Sequence, residues 1–379
     1  MTATPILDLA KDPPQPRRTV RRFIIQATIG ALIGISLVLT PNLPGSPSFN
    51  FLVWILAVHV MILLHELGHL VAGIIVGMPP GGIRVGCFQA LRSGERWVFR
   101  LDWKGLLSGI AVPLPPQNGF RASDFAWMVA GGPIVSIISI AACWGAWLRY
   151  GNGAADWIGS SFWAAGIGLF SLIPLSSGVH KSDAARLWML LRNPGQAEAW
   201  MALIAVNAEN ITGVRPRDWT ASLVEKMMSA PLQNSAAVVP ELLCYCRLLD
   251  QGHEESALTH LENCLASSEK AGAKIRQTLY LEAAGAVAFH RHNAGHARTW
   301  QERAIRLGQP ESRAGSSAAI SICEGRYADA LREIEEARQY IAKRNPGAGI
   351  AILALERLDR REQECRAAIA NGAANAAGA

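Results

Sequence analysis

Five consecutive residues, His65-Glu66-Leu67-Gly68-His69, carry the densest chemistry in this 379-residue chain. On a helix, positions i and i+4 share a face. Two imidazoles so placed can bind one Zn²⁺, and the glutamate beside the first can reach a metal-bound water as general base. The setting sharpens the signal. The pentad lies in LAVHVMILLHELGHLVAGIIVG, and Glu66 is the only Asp, Glu, Lys or Arg across residues 23–83. An ionisable group at membrane depth costs roughly 2.5–3.5 kcal/mol on insertion scales and is a functional hypothesis by default. The bland alternative is a buried polar cluster tying two helices together.

A tetrahedral catalytic site needs a third protein ligand and one open position. Three stretches bear on it: HELGH in an apolar span, Gly131-Gly132-Pro133 within MVAGGPIVSI, and Leu172-Ile173-Pro174 followed by Ser182-Asp183-Ala184-Ala185-Arg186. Taken in that order they resemble the site-2 protease family, the intramembrane zinc metallopeptidases, over residues 20–190. The resemblance implies His65, His69 and Asp183 as zinc ligands and Glu66 as the base. It also implies Gly132 and Pro133 as the family's Gly-Pro motif. Ser171 and Pro174 fall on the family's Asn-x-x-Pro region, so these four are candidates for holding the substrate carbonyl or oxyanion. The chain departs from the family in two places: Ser171 stands where the family has Asn, and Ala184 where it has the Gly after Asp. His180, three residues before Asp183, is a rival third ligand. His59 is on the wrong helical face for the pair and reads as a helix–helix contact.

The implied reaction is peptide hydrolysis. Zinc lowers the pKa of its water to ~7 and polarises the scissile carbonyl, and Glu66 passes the proton to the leaving amine. A transmembrane substrate must unwind locally to expose a carbonyl, and an edge strand would clamp the extended peptide by β-addition.

The elements that must position these residues are read from hydropathy. Half of the chain is hydrophobic, 17% is charged, and the mean hydropathy is +0.18, values that exclude a disordered or wholly polar chain. Apolar segments near 23–41, 51–77, 125–148 and 157–180 are each long enough to cross a ~30 Å hydrocarbon layer. The first reads as an uncleaved anchor, with a cleaved signal peptide as the alternative. Lys and Arg concentrate in the N-terminal segment, in 84–124 and in 181–192. By the positive-inside rule both termini are then cytoplasmic, in an inner or cell membrane if the source is bacterial.

Between the second and third spans, residues 83–103 alternate apolar and polar. Arg92-Ser93-Gly94-Glu95 makes a turn, giving a small β-hairpin or, alternatively, an amphipathic loop. Pro174, Ser176, Ser177 and Gly178 break the chain after the fourth span, and such a break brings Asp183 back toward the metal with Ser182 capping the helix that follows.

From residue 196 the chain reads as helical and soluble. Ala257, Ala297 and Ala330 occupy equivalent places in three similar stretches, and Gly252 and Gly325 each precede the alanine by five. The pattern resembles tetratricopeptide-type helix pairs, whose stacks present a binding face; a plain helical bundle is the alternative. The tail from Asn193 holds 21 basic and 22 acidic residues. The surplus charge of +6 therefore lies beside the membrane segments, and the pI near 9.1 gives no ground for nucleic-acid binding. Seven cysteines without a framework read as reduced, mostly buried thiols.

The expected protein is thus an α-helical polytopic membrane protein of about four transmembrane helices with a small β-hairpin, followed by a soluble all-α, helical-repeat-like domain. Its parts are a disordered basic segment (1–22), a membrane metallopeptidase domain (23–195) and a tetratricopeptide-like domain (196–370). The expected partners are the lipid bilayer, a membrane-protein or membrane-proximal peptide substrate, and a protein on the helical tail. The rival reading is a membrane-anchored helical-repeat adaptor with a non-catalytic zinc site.

Overall fold

The computed structural model describes residues 47–101, 103, 108–116, 120–150, 161, 164, 166, 168–177, 180–232, 237–344 and 346–377. The basic segment 1–22 and the first expected span lie outside the described residues, as does part of the fourth. Contacts divide the chain into two compact units. One is built mainly from residues 17–208, and the other from 209–379 together with the 93–96 turn.

In the first unit, α1 (Pro47–Ile75) and α2 (Ala122–Tyr150) are long and apolar enough to cross a membrane. Both leave large apolar side chains exposed: Leu52, Leu56, Val71 and Ile75 on α1, and Trp127, Ile137 and Ile138 on α2. The two helices meet through glycine. A side chain at Gly68 would strike the Gly131 carbonyl 2.5 Å away, and one at Gly131 would strike the Gly68 carbonyl. Bare backbone therefore lets the HELGH turn rest directly on the Gly131-Gly132-Pro133 turn. Trp54, Val58 and Ala164 form a small buried cluster on another part of α1.

The region read as one hairpin is a four-stranded antiparallel sheet: β1 (Pro80–Val85), β2 (Phe88–Ser93), β3 (Arg96–Leu101) and β4 (Gly109–Pro113), in the order β3-β2-β1-β4. The 92–95 turn is where expected, with Gly94 at φ +60° supplying the left-handed turn residue. A second turn at Gly86, φ +58°, makes the expected hairpin a three-stranded meander. The fourth strand comes from an apolar run with no alternation to flag it. It pairs with β1, setting Ile83 against Ala111. The apolar residues Trp97, Phe99, Leu101 and Trp103 are exposed.

After a 3-10 turn (Leu169–Leu172), a two-rung hairpin of β5 (Ser176–Ser177) and β6 (His180–Lys181) leads into α3 (Asp183–Arg192) and α4 (Pro194–Ile211). Trp200 of α4 packs edge-on against Phe125 of α2, ring centres 5.4 Å apart.

The second unit is helical: α5 (Ala221–Met228), α6 (Val239–Asp250), α7 (Glu254–Ala266), α8 (Ala273–His290), α9 (Ala294–Arg306), α10 (Ala314–Cys323), α11 (Tyr327–Arg344) and α12 (Gly349–Ala377). Three successive helical hairpins, α6–α7, α8–α9 and α10–α11, share one design. Ala257, Ala297 and Ala330 are each the fourth residue of a second helix, and each is fully buried. Five residues before each alanine the backbone takes positive φ: Gly252 at +79°, Gly325 at +73°, and His292 at +47° in the middle hairpin. A methyl group is all that fits where the paired helices cross closely, and the turn before it needs a left-handed residue. The cysteines carry no disulfide.

Candidate metal centre

His65 and His69 sit one turn apart on the α1 face that meets α2. Asp183 arrives at the same point from the first turn of α3, and all three are buried. His65 Nε2 lies 3.3 Å from His69 Nε2 and 3.2 Å from Asp183 Oδ2, and His69 Nε2 lies 3.5 Å from that same oxygen. These three atoms form a nearly equilateral triangle. A tetrahedral ion with bonds of ~2.0–2.1 Å has ligand–ligand edges of ~3.3–3.4 Å. The donor set, two nitrogens and one carboxylate oxygen, fits a metal ion.

The far side of each ring is occupied. His65 Nδ1 lies 2.9 Å from the Ser136 hydroxyl, and His69 Nδ1 lies 3.0 Å from the Met128 carbonyl. A ring whose Nδ1–H donates to such a partner presents its Nε2 lone pair to the triangle. Gly132 forms the floor: a side chain there would overlap the Nε2 atoms of both His69 and His65. Gly168, a described residue of the fourth apolar segment, packs so closely on Ser136 that a side chain would overlap its hydroxyl.

Burial alone would raise the Asp183 carboxyl. Hydrogen bonds from His65 and His69, with the nearby charges of His69 and Arg186, instead hold it well below the usual carboxylate range, in the ligating form. The Arg186 guanidinium stands 3.6 Å from Asp183 Oδ1, the oxygen turned away from the triangle.

Glu66 is also buried, next to the ligands but outside the triangle. Its carboxylate lies against β4. A side chain at Gly109, the first residue of that strand, would overlap Glu66 Oε1.

Ser182 positions the third ligand. Its hydroxyl accepts from Ala185 N at 3.3 Å as the N-cap of α3, accepts from Leu175 N at 2.9 Å, and donates to the Ile173 carbonyl at 2.7 Å. One side chain thus ties the loop to the helix that carries Asp183.

Of the expected site residues, the structure brings together His65, His69, Asp183, Glu66 and Gly132. Pro133 is buried beside Gly132 inside α2, where its missing N–H removes one rung of the helical ladder. Pro174 is exposed in the loop before β5. The Ser171 hydroxyl is buried in the 3-10 turn with no hydrogen-bond partner among the described residues. His180 lies on β6, and its side chain is outside the described residues. His59, half-buried, has its Nδ1 2.8 Å from the Ile55 carbonyl, one turn back in its own helix.

Sequence reasoning missed Ser136, the Met128 carbonyl, Arg186 and β4. Only Ser136 left a signal, four residues after Gly132 and so on the same face of α2.

Comparison with protein-family models, curated proteins and solved structures found no match.

Proposed function

We infer that the chain is a polytopic membrane zinc metalloendopeptidase that cuts a peptide bond in or near the bilayer. The observation that carries this reading is the triangle of Nε2, Nε2 and Oδ2 atoms at 3.2, 3.3 and 3.5 Å, with a buried glutamate beside it. Those edges suit zinc's short tetrahedral bonds, whereas Ca²⁺ and Mg²⁺ favour six or more oxygen ligands. Three protein ligands favour a catalytic over a structural site, since structural zinc is held by four.

Zinc, when bound by His65, His69 and Asp183, would lower the pKa of its water to ~7 and polarise the scissile carbonyl. Glu66 would take the water's proton on its carboxylate and pass it to the leaving amine. Ser171, whose hydroxyl has no partner among the described residues, is the candidate donor to the substrate carbonyl. A peptide adding as a strand to the outer edge of β4 would run past Glu66, because β4 itself lies against that carboxylate. The exposed apolar faces of α1 and α2 support membrane insertion, since soluble monomers rarely leave such surface uncovered. The Lys/Arg distribution puts both termini on the cytoplasmic side.

The test uses the full-length protein purified in detergent, with metal content measured by mass spectrometry and cleavage followed on a labelled transmembrane model peptide. About one zinc per chain is expected in the wild type and in Glu66→Gln, and little in His65→Ala, His69→Ala or Asp183→Ala. Only the wild type should cleave. Zinc retained in Asp183→Ala, or turnover by Glu66→Gln, would sink the assignment.

A further inference from the structure

A cavity of about 410 Å³ opens in the second unit, lined by residues of α6, α8, α10, α11 and α12. That volume falls within the range of ligand sites. Its lining is lopsided in charge: Arg313, Arg344, Arg357 and Arg361 stand against a single acid, Glu282.

Arg344 pairs with Glu311. Arg357 lies beside Tyr245, whose hydroxyl donates to Glu282 at 3.2 Å, and has no ion pair among the described residues. Arg361 is more deeply buried. It is only 8% exposed and has no hydrogen-bond or ion-pair partner among the described residues. Its guanidinium lies over the Phe289 ring, 4.8 Å from the centroid, a contact that holds the plane without satisfying the donors. Burial and the neighbouring Arg357 push it down to about 10. Its nitrogens are not sealed from solvent, so they reach the cavity that Arg361 lines, where an anion would offset the guanidinium's partial desolvation.

An independent observation is Gly285, in the middle of α8 on the cavity wall. Glycine is among the poorest helix formers, and a side chain there would meet nothing within 4 Å. Packing does not demand glycine at this position, and the missing side chain leaves the cavity wall open.

We propose that this cavity binds a carboxylate, with Arg361 and Arg357 as the gripping pair and the Thr278, Ser316 and Tyr340 hydroxyls around it. An acidic side chain or C-terminus of an extended peptide would supply it, or a free small dicarboxylate. The planar guanidinium fork matches a carboxylate through two parallel hydrogen bonds. This assignment is independent of the metal centre.

The experiment is fluorescence anisotropy on the full-length protein in detergent. The probes are a labelled decapeptide containing three glutamates, its glutamine counterpart, and succinate as competitor. Saturable binding of the glutamate peptide is expected, with loss of about tenfold or more in Arg361→Met, since a charge-assisted bidentate contact is removed. Gly285→Leu should lose binding by occupying the space. The melting temperature of both variants should match or exceed wild type, because each removes an unfavourable feature of the free protein. Displacement by succinate at the peptide's own working concentration would assign the source to a free dicarboxylate; displacement only by peptide would assign it to a peptide. Equal binding of both peptides, wild-type binding by Arg361→Met, no binding of either carboxylate probe, or a lowered melting temperature in Arg361→Met would overturn the proposal.

Discussion

Ser136 Oγ sits 2.9 Å from His65 Nδ1, across the α1–α2 contact and 71 residues away in sequence. That hydroxyl fixes which nitrogen of His65 faces the metal position. Ser136→Ala frees the ring to rotate and to change tautomer. Metal affinity is expected to fall about 10–100-fold, the usual effect of losing such a support, as read by chelator competition. An unchanged affinity would mean that packing against Gly168 alone orients the ring.

Gly132→Ala tests the floor of the site. The new methyl group overlaps both Nε2 atoms, so the imidazoles must shift or α2 must move back. Metal content should fall even though every ligand is intact, and far-UV circular dichroism should be unchanged. Full metal loading in this variant would show that the α1–α2 contact yields easily.

The middle hairpin of the second unit carries His292 where its neighbours carry glycine. A side chain in the left-handed region costs roughly 1–2 kcal/mol, partly offset by glycine's greater unfolded-state freedom. His292→Gly is therefore expected to stabilise that unit by about 0.5–1 kcal/mol, measured by urea denaturation. A destabilised variant would point to a contact of the imidazole that outweighs the backbone term.

Alkaline pH should weaken the same unit. Burial, with Glu282 nearby, pushes the Cys246 thiol up to about 12, and burial with Glu241 pushes Cys244 up to about 11. In the unfolded chain these thiols ionise near ~8.5. Above that pH the unfolded state binds fewer protons than the folded one, so stability falls as pH rises. Denaturation midpoints should decline from about pH 8.5 upward, and Cys246→Ala should flatten that decline. An identical pH slope in the variant would exclude Cys246 as a source.

Sidedness is checked with a new thiol at exposed Ser256, because native Cys244 is buried and reports poorly from either side. With both termini cytoplasmic, Ser256→Cys should resist an impermeant maleimide in intact cells and react after permeabilisation. Labelling without permeabilisation would place the tail on the other side.

The chemistry was legible where it is local. His65, Glu66 and His69 follow from helical spacing alone, and Ser182 as a cap follows from its place before an amphipathic run. The alanine and glycine spacing of the tail marked positions that are indeed buried crossings and left-handed turns. What could not be read depends on contacts between distant segments. Gly109-Ile110-Ala111 has no alternation, and it becomes a strand only because β1 offers an edge beside Glu66. Ser136 shares a face with Gly132, but which ring it meets is set only when α1 is laid across α2. Arg361 sits in a charged helix among Arg357, Arg360 and Arg366, so nothing local distinguishes it as the buried one.

The Ser182 hydroxyl joins Ile173, Leu175 and Ala185, and so holds Asp183 in place through about ten residues of loop and short hairpin. The histidines are anchored differently, in the middle of a 29-residue helix. Short exposed loops open locally at far lower free energy than long packed helices. Loss of the Ser182 hydrogen bonds would therefore withdraw one ligand while the helices stay folded. The centre would be dismantled reversibly at one corner, and hydrogen exchange at the Leu175 and Ala185 amides would register the opening long before global unfolding.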